Sequence, residues 1–140
     1  MRELDETTAA GAAAATRLRA DLMAWITTVR PDGQPQASAV WFHWDGTDLL
    51  VMSQPAARKV RNVRGNPRVS VNLDGDGLGG GLVIIEGTAE VLAGVEPARL
   101  EPYRAKYERH MRERLNWDPA AMLARYSTPL RVRPTRWRLA

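Results

Sequence analysis

The sequence predicts a mainly β protein with flanking helices, in which six antiparallel strands close into a small barrel. Three observations carry this. Short runs of β-branched and aromatic residues recur along the chain, and turn signals such as Pro31-Asp32-Gly33 and Asp45-Gly46 join several of them. Helical spacing is confined to the start, the middle and the segment before the last strand. At 140 residues the chain reads as one domain, 1–140, with room for a core.

The opening segment to about Met23 reads as a helix, with Leu18 and Leu22 one turn apart. Trp25 to Val29 is a strand by composition, and the Pro31–Gln34 turn leads into a second strand, Gln36 to Trp44. That strand is apolar on both faces: Val40, Phe42 and Trp44 on one, Ala39, Trp41 and His43 on the other. One face can enter the core, and the other needs a helix, a ligand or a second subunit over it. Leu49 to Met52 is the third strand. Pro55 suits the first turn of a helix that runs through Val60 and Val63 and ends near Gly65-Asn66-Pro67. Val69, Val71 and Leu73 alternate with polar residues as a fourth strand. A glycine-rich loop, 74–81, precedes a long fifth strand, Leu82 to Leu92, in which Gly87 marks a bulge. A helical insertion follows: Pro97 to about Leu115, then a shorter helix capped by Asp118 and running to about Tyr126. Leu130 to Leu139 is the closing strand.

Composition narrows the function classes. The chain has no cysteine, which excludes disulfides, thiolate metal sites and a cysteine nucleophile. No apolar run approaches the ~20 residues that span a bilayer. The acidic start, Glu3 to Glu6, lacks the pattern of a signal peptide, so a cytoplasmic location is expected. Net charge is +4, from 20 basic and 16 acidic side chains. That excess favours anionic ligands, but the basic residues are interspersed with acids, which argues against nucleic acid.

Among the motifs, Gly75-x-Gly77-x-x-Gly80 matches a dinucleotide fingerprint only as a string, because a strand and not a helix follows it. His43 and His110 stand far apart with no carboxylate pattern, so no metal site is expected, and neither reads as a catalyst. His43 suits packing, and His110 suits a charged surface. Tyr103 and Tyr107, four apart, read as a packed pair. The functional candidate is the helix start Arg58-Lys59, followed by Arg61 and Asn62. Cations on a helix are ordinarily a solvated face. In the first turn, however, they sit against the positive end of the helix dipole. A phosphate resolves that conflict, since helix N-termini and Arg/Lys pairs both attract it. A flat apolar strand beside a phosphate clamp points to a flavin-like cofactor. Arg131, Arg133, Arg136 and Arg138 form a second basic row.

These stretches resemble the pyridoxamine 5'-phosphate oxidase-like split β-barrel flavoproteins, and most closely their actinobacterial branch of oxidoreductases that use the deazaflavin F420. The resemblance runs through Trp25–Pro35, Ser38–Phe42, Arg58–Val69, Glu86–Val91 and Pro134–Leu139. It implies a homodimer of FMN-binding-type split barrels with the cofactor in a groove at the subunit interface. Ser38, Ala39, Val40 and Trp41 would line the ring, and Met52 and Ser53 would lie near the ring and ribityl chain. Arg58 and Lys59 would hold the phosphate with help from Asn62, and Arg131 and Arg136 would come from the other subunit. Trp41 and Trp137 are candidates for the substrate wall. The implied activity is hydride transfer between F420, or alternatively FMN, and a small electron-poor substrate. No side-chain catalyst is required for this, because the cofactor carries the chemistry. A non-catalytic cofactor-binding protein is the other reading of the same fold. The residues needed to bind pyridoxamine phosphate itself are not found, and the chain is short for such an oxidase.

Overall fold

The computed structural model describes residues 3–140. Its elements are α1 (Ala9–Ala20), β1 (Ala24–Val29), β2 (Pro35–Val40), β3 (His43–Trp44), β4 (Leu49–Ser53), α2 (Arg58–Gly65), β5 (Arg68–Asn72), β6 (Val83–Val91), α3 (Pro97–Arg109), α4 (Pro119–Arg125) and β7 (Thr128–Leu139). All strands lie in one sheet of order β2-β1-β5-β6-β7-β4-β3, and every pairing is antiparallel. β2 and β3 occupy opposite edges yet are joined only by Trp41 and Phe42. Two edges can meet at a two-residue joint only if the sheet curls round on itself, so this half-barrel follows from the strand order. The expected mainly β barrel with flanking helices is what forms.

The strand count rises from six to seven because the expected strand 36–44 breaks at Trp41-Phe42. The first part pairs with β1, Ala24 opposite Val40, and the second with β4, His43 opposite Leu50. Its inner residues Val40, Phe42 and Trp44 enter the core with Ile26, Val51, Val71, Ile85 and Val132. Side-chain alternation survives the break, which is why the sequence pattern does not show it. The backbone of Phe42 loses its ladder there and finds a substitute on α3. Its N–H donates to the Tyr107 hydroxyl at 2.8 Å, and its carbonyl accepts from Lys106 Nζ at 2.9 Å.

The helices are shorter than their sequence pattern. α1 starts at Ala9 because Thr8 caps it, accepting from the Gly11 N–H, and it stops at Ala20, before Leu22. α3 ends at Arg109 and continues as one π-helical turn, His110–Arg114. α4 is capped by the Asp118 carboxylate as its sequence predicts. The glycine-rich segment is a loop between strands, with Asp76 accepting from the Leu78 and Gly80 N–H groups.

The bulge expected at Gly87 is present. Gly87 pairs with Pro134 and Glu86 with Arg136, which leaves Thr135 unpaired. A Cβ on Gly87 would stand 2.3 Å from the Arg133 carbonyl oxygen, so only glycine fits. The extra residue rephases β7. Val132 and Pro134 point inward before it and Trp137 packs against the core after it, while Arg131, Arg133, Arg136 and Arg138 stay on the outer side.

Candidate functional site

Residues 54–57 separate the end of β4 from the start of α2, so Met52 and Ser53 shortly precede Arg58 and Lys59 in the chain. Val60 and Val63 are buried in the core and fix which side faces outward. Asn62 is buried as well. Its amide donates to Thr28 Oγ1 on β1 and to Gln36 Oε1 on β2, both at 3.0 Å. These two bonds seat the helix start against β2, two residues before Ser38. Asn62 therefore spends its amide on the sheet. Thr28 and Gln36 are the partners that sequence reasoning missed, since neither spacing nor composition links them to it.

The N-cap of α2 is Ala57, which offers no side-chain acceptor to the first-turn N–H groups. Among the described residues, Arg58, Lys59, Arg61, Arg64 and Arg68 form no ion pair. The α3 cations differ: Arg104 pairs with Glu101 and Glu108, and Arg109 with Glu113. Arg64 sits in the last turn of α2, where the dipole welcomes a cation. Lys59 is half-buried, and that burial pushes its ammonium below the usual lysine range. An uncapped helix start with two unpaired cations, one of them partly desolvated, can attract an anion.

β2 is an edge strand, with Ala37 and Ala39 exposed and Ser38 half-buried. Val40 turns into the core. Met52 and Ser53 are buried, Met52 beneath α3 with Tyr103 and Ser53 with an unpartnered Oγ. Trp41 faces outward and is covered by the helical insertion. It stacks on Tyr107 at 4.5 Å with 4° between the planes, and meets His110 edge-on at 5.6 Å and Trp117 at 6.0 Å. A helix thus covers the second apolar face of this strand at Trp41. His110, expected on a charged surface, is half-buried against Trp41. It falls on the helix face of Tyr103 and Tyr107, a spacing of three and seven that could have flagged it. Trp137 lies edge-on to Trp44 at 5.5 Å, and Arg131 pairs with Glu90. Tyr103 and Tyr107 pack as a pair, 5.2 Å between centroids.

Residues 10–140 match the family model described as pyridoxamine 5'-phosphate oxidase. The chain belongs to that family. Solved structures place it more closely within the pyridoxamine 5'-phosphate oxidase fold. An F420 reductase is 27% identical, with a TM-score of 0.68 over 88% of this chain and 94% of the other. A conserved hypothetical protein, Rv2991 of Mycobacterium tuberculosis, is 26% identical, with a TM-score of 0.71 over 99% and 88%. An FAD-binding protein from Mesorhizobium loti is 25% identical, with a TM-score of 0.64 over 89% and 88%. An FAD-binding protein and an F420 reductase therefore share this fold. No described helix is long and apolar enough to cross a membrane, and no cluster of three His, Asp or Glu side chains is found among the described residues.

Proposed function

We propose that this member of the pyridoxamine 5'-phosphate oxidase family is an oxidoreductase that binds a phosphate-bearing flavin or deazaflavin, with F420 as the coenzyme and FMN as the variant. The observation that carries this is the start of α2: Arg58 and Lys59 without a carboxylate partner at an uncapped helix end. The likeness to an F420 reductase supports F420 over FMN.

Arg58 and Lys59 would hold the phosphate, Arg58 through its guanidinium and Lys59 as a point charge. Asn62 acts through position, holding the helix start against β2. The exposed edge of β2 at Ser38 and Ala39, with Val40 and Trp41 beyond it, orients the ring through backbone groups. Ser53, buried with an unpartnered Oγ, would lie toward the ribityl side, and Met52, beneath α3, would back it. When bound, such a coenzyme supplies hydride transfer at its ring. A second copy of the chain completes the groove with its basic β7 row, and the substrate is a small electron-poor molecule. The expected location is the cytoplasm.

Paired titration of the purified chain with F420 and FMN, read by cofactor fluorescence, tests the reading. Tighter binding of F420 supports it, preference for FMN moves the protein to the flavin variant, and binding of neither removes the proposal. Tight binding without turnover over a panel of reductants and acceptors favours a cofactor carrier, because the fold alone does not fix activity.

A further inference from the structure

A cleft of about 400 Å³ opens beside Lys106, and it includes none of the residues assigned to the cofactor. Lys106, Arg109, His110, Glu113 and Arg114 line it from α3 and the π-helical turn that continues it. Leu22, between α1 and β1, is its apolar wall. Glu113 is the single carboxylate among these lining residues, and it is paired with Arg109 at 2.8 Å. Arg114 is exposed and forms no ion pair among the described residues. The cleft therefore keeps an unpaired arginine beside an amine.

Lys106 is one of two lysines in the chain, the other being Lys59. It is half-buried and has no ion-pair partner among the described residues. Its Nζ donates to the Phe42 carbonyl at 2.9 Å and stands 3.8 Å from the Phe42 ring centroid and 5.2 Å from that of Tyr107. Asp21 is the carboxylate that acts on it, but Asp21 is already paired with Arg17 at 2.7 Å. Burial therefore prevails and brings the ammonium down to about 8. A partly desolvated amine of this kind is the form of lysine that attacks carbonyl carbon.

We propose that Lys106 is a covalent binding site for a small aldehyde that carries a carboxylate. Arg114 attracts the carboxylate, and the neutral Nζ attacks the aldehyde carbon. A C–N bond forms. The carbonyl oxygen leaves as water, with one hydrogen from the amine and one proton from solvent, and a protonated imine remains. Nothing is oxidised or reduced. The protonated imine keeps one N–H for the Phe42 carbonyl and keeps its positive charge at the Phe42 and Tyr107 rings. An acyl group on the same nitrogen would remove that charge, so the surroundings favour an aldehyde over an acyl donor.

Trapping tests this. The full chain is incubated with glyoxylate, or with acetaldehyde (no carboxylate), and cyanoborohydride reduces any imine to a stable amine. Peptide mass spectrometry then reads Lys106 and Lys59 separately. The glyoxylate rate at Lys106 is expected to saturate with concentration. Arg114→Gln, an exposed change, should lower that rate about fivefold at low glyoxylate. It should leave acetaldehyde at Lys106, and glyoxylate at Lys59, as in wild type. Absence of trapping at Lys106, a rate that does not saturate, or an Arg114→Gln variant that traps glyoxylate as wild type does overturns the proposal. So does an equal loss for both aldehydes, which would mean that the substitution alters the amine and not the anchoring of a carboxylate.

Discussion

The hydroxyl of Tyr107 accepts the Phe42 N–H at 2.8 Å, at the one place where the barrel strand is interrupted. The same oxygen lies 2.7 Å from the Leu22 carbonyl and 2.9 Å from the Phe42 carbonyl, so its single proton serves one of the two. α3 thereby replaces the missing ladder bond of an edge-to-edge joint. Burial pushes the Tyr107 phenol well above its usual range and keeps it protonated for this task.

Tyr107→Phe removes the acceptor and leaves the buried Phe42 N–H without one. The expected loss is about 1–3 kcal/mol in urea unfolding, with the slope unchanged. An unchanged midpoint would show that the joint does not depend on this bond.

Lys106 shares the joint, with Nζ 3.8 Å from the Phe42 ring centroid. Burial brings its ammonium down from 10.5 to about 8. Between about 8 and 10.5 the folded chain has released this proton while the unfolded chain still holds it. Stability contributed by Lys106 therefore rises with pH across that window, and the cost of burying its charge is fully present below it. Unfolding free energies for wild type and Lys106→Met, measured from pH 7 to 10, should converge or cross as pH rises. Parallel curves would contradict the assignment.

Gly87→Ala forces a Cβ onto the Arg133 carbonyl at the bulge. Overpacking against backbone is expected to cost about 1–3 kcal/mol. Thermal melts check it, and a variant as stable as wild type would mean that the bulge relaxes freely.

Asn62→Ala removes both bonds that tie α2 to β1 and β2. Stability should fall by about 1–3 kcal/mol. Cofactor affinity should fall less than in Lys59→Ala, because Asn62 acts by placing the helix. A loss of affinity larger than that of Lys59→Ala, in a variant that still folds, would give Asn62 a direct contact.

These effects divide by whether their cause is local. Gly87, the Asp118 cap and the Arg58-Lys59 start were legible because each rests on conformation or charge within a few residues. The break at Trp41-Phe42 was not, since the alternation continues through it and the substitute donors and acceptors come from residues 106 and 107. The Asn62 bonds cross 34 and 26 positions. No periodicity encodes such meetings. His110 lies between these cases: its helical spacing from Tyr103 and Tyr107 was visible, but the surrounding arginines and glutamates outweighed it.

The most direct test of the central claim is the F420 affinity of wild type against Arg58→Ala and Lys59→Ala, read by fluorescence at fixed salt. A charge-assisted phosphate contact predicts at least about a tenfold loss for each variant, with folding intact. Affinity equal to wild type in both would contradict a phosphate site at the start of α2.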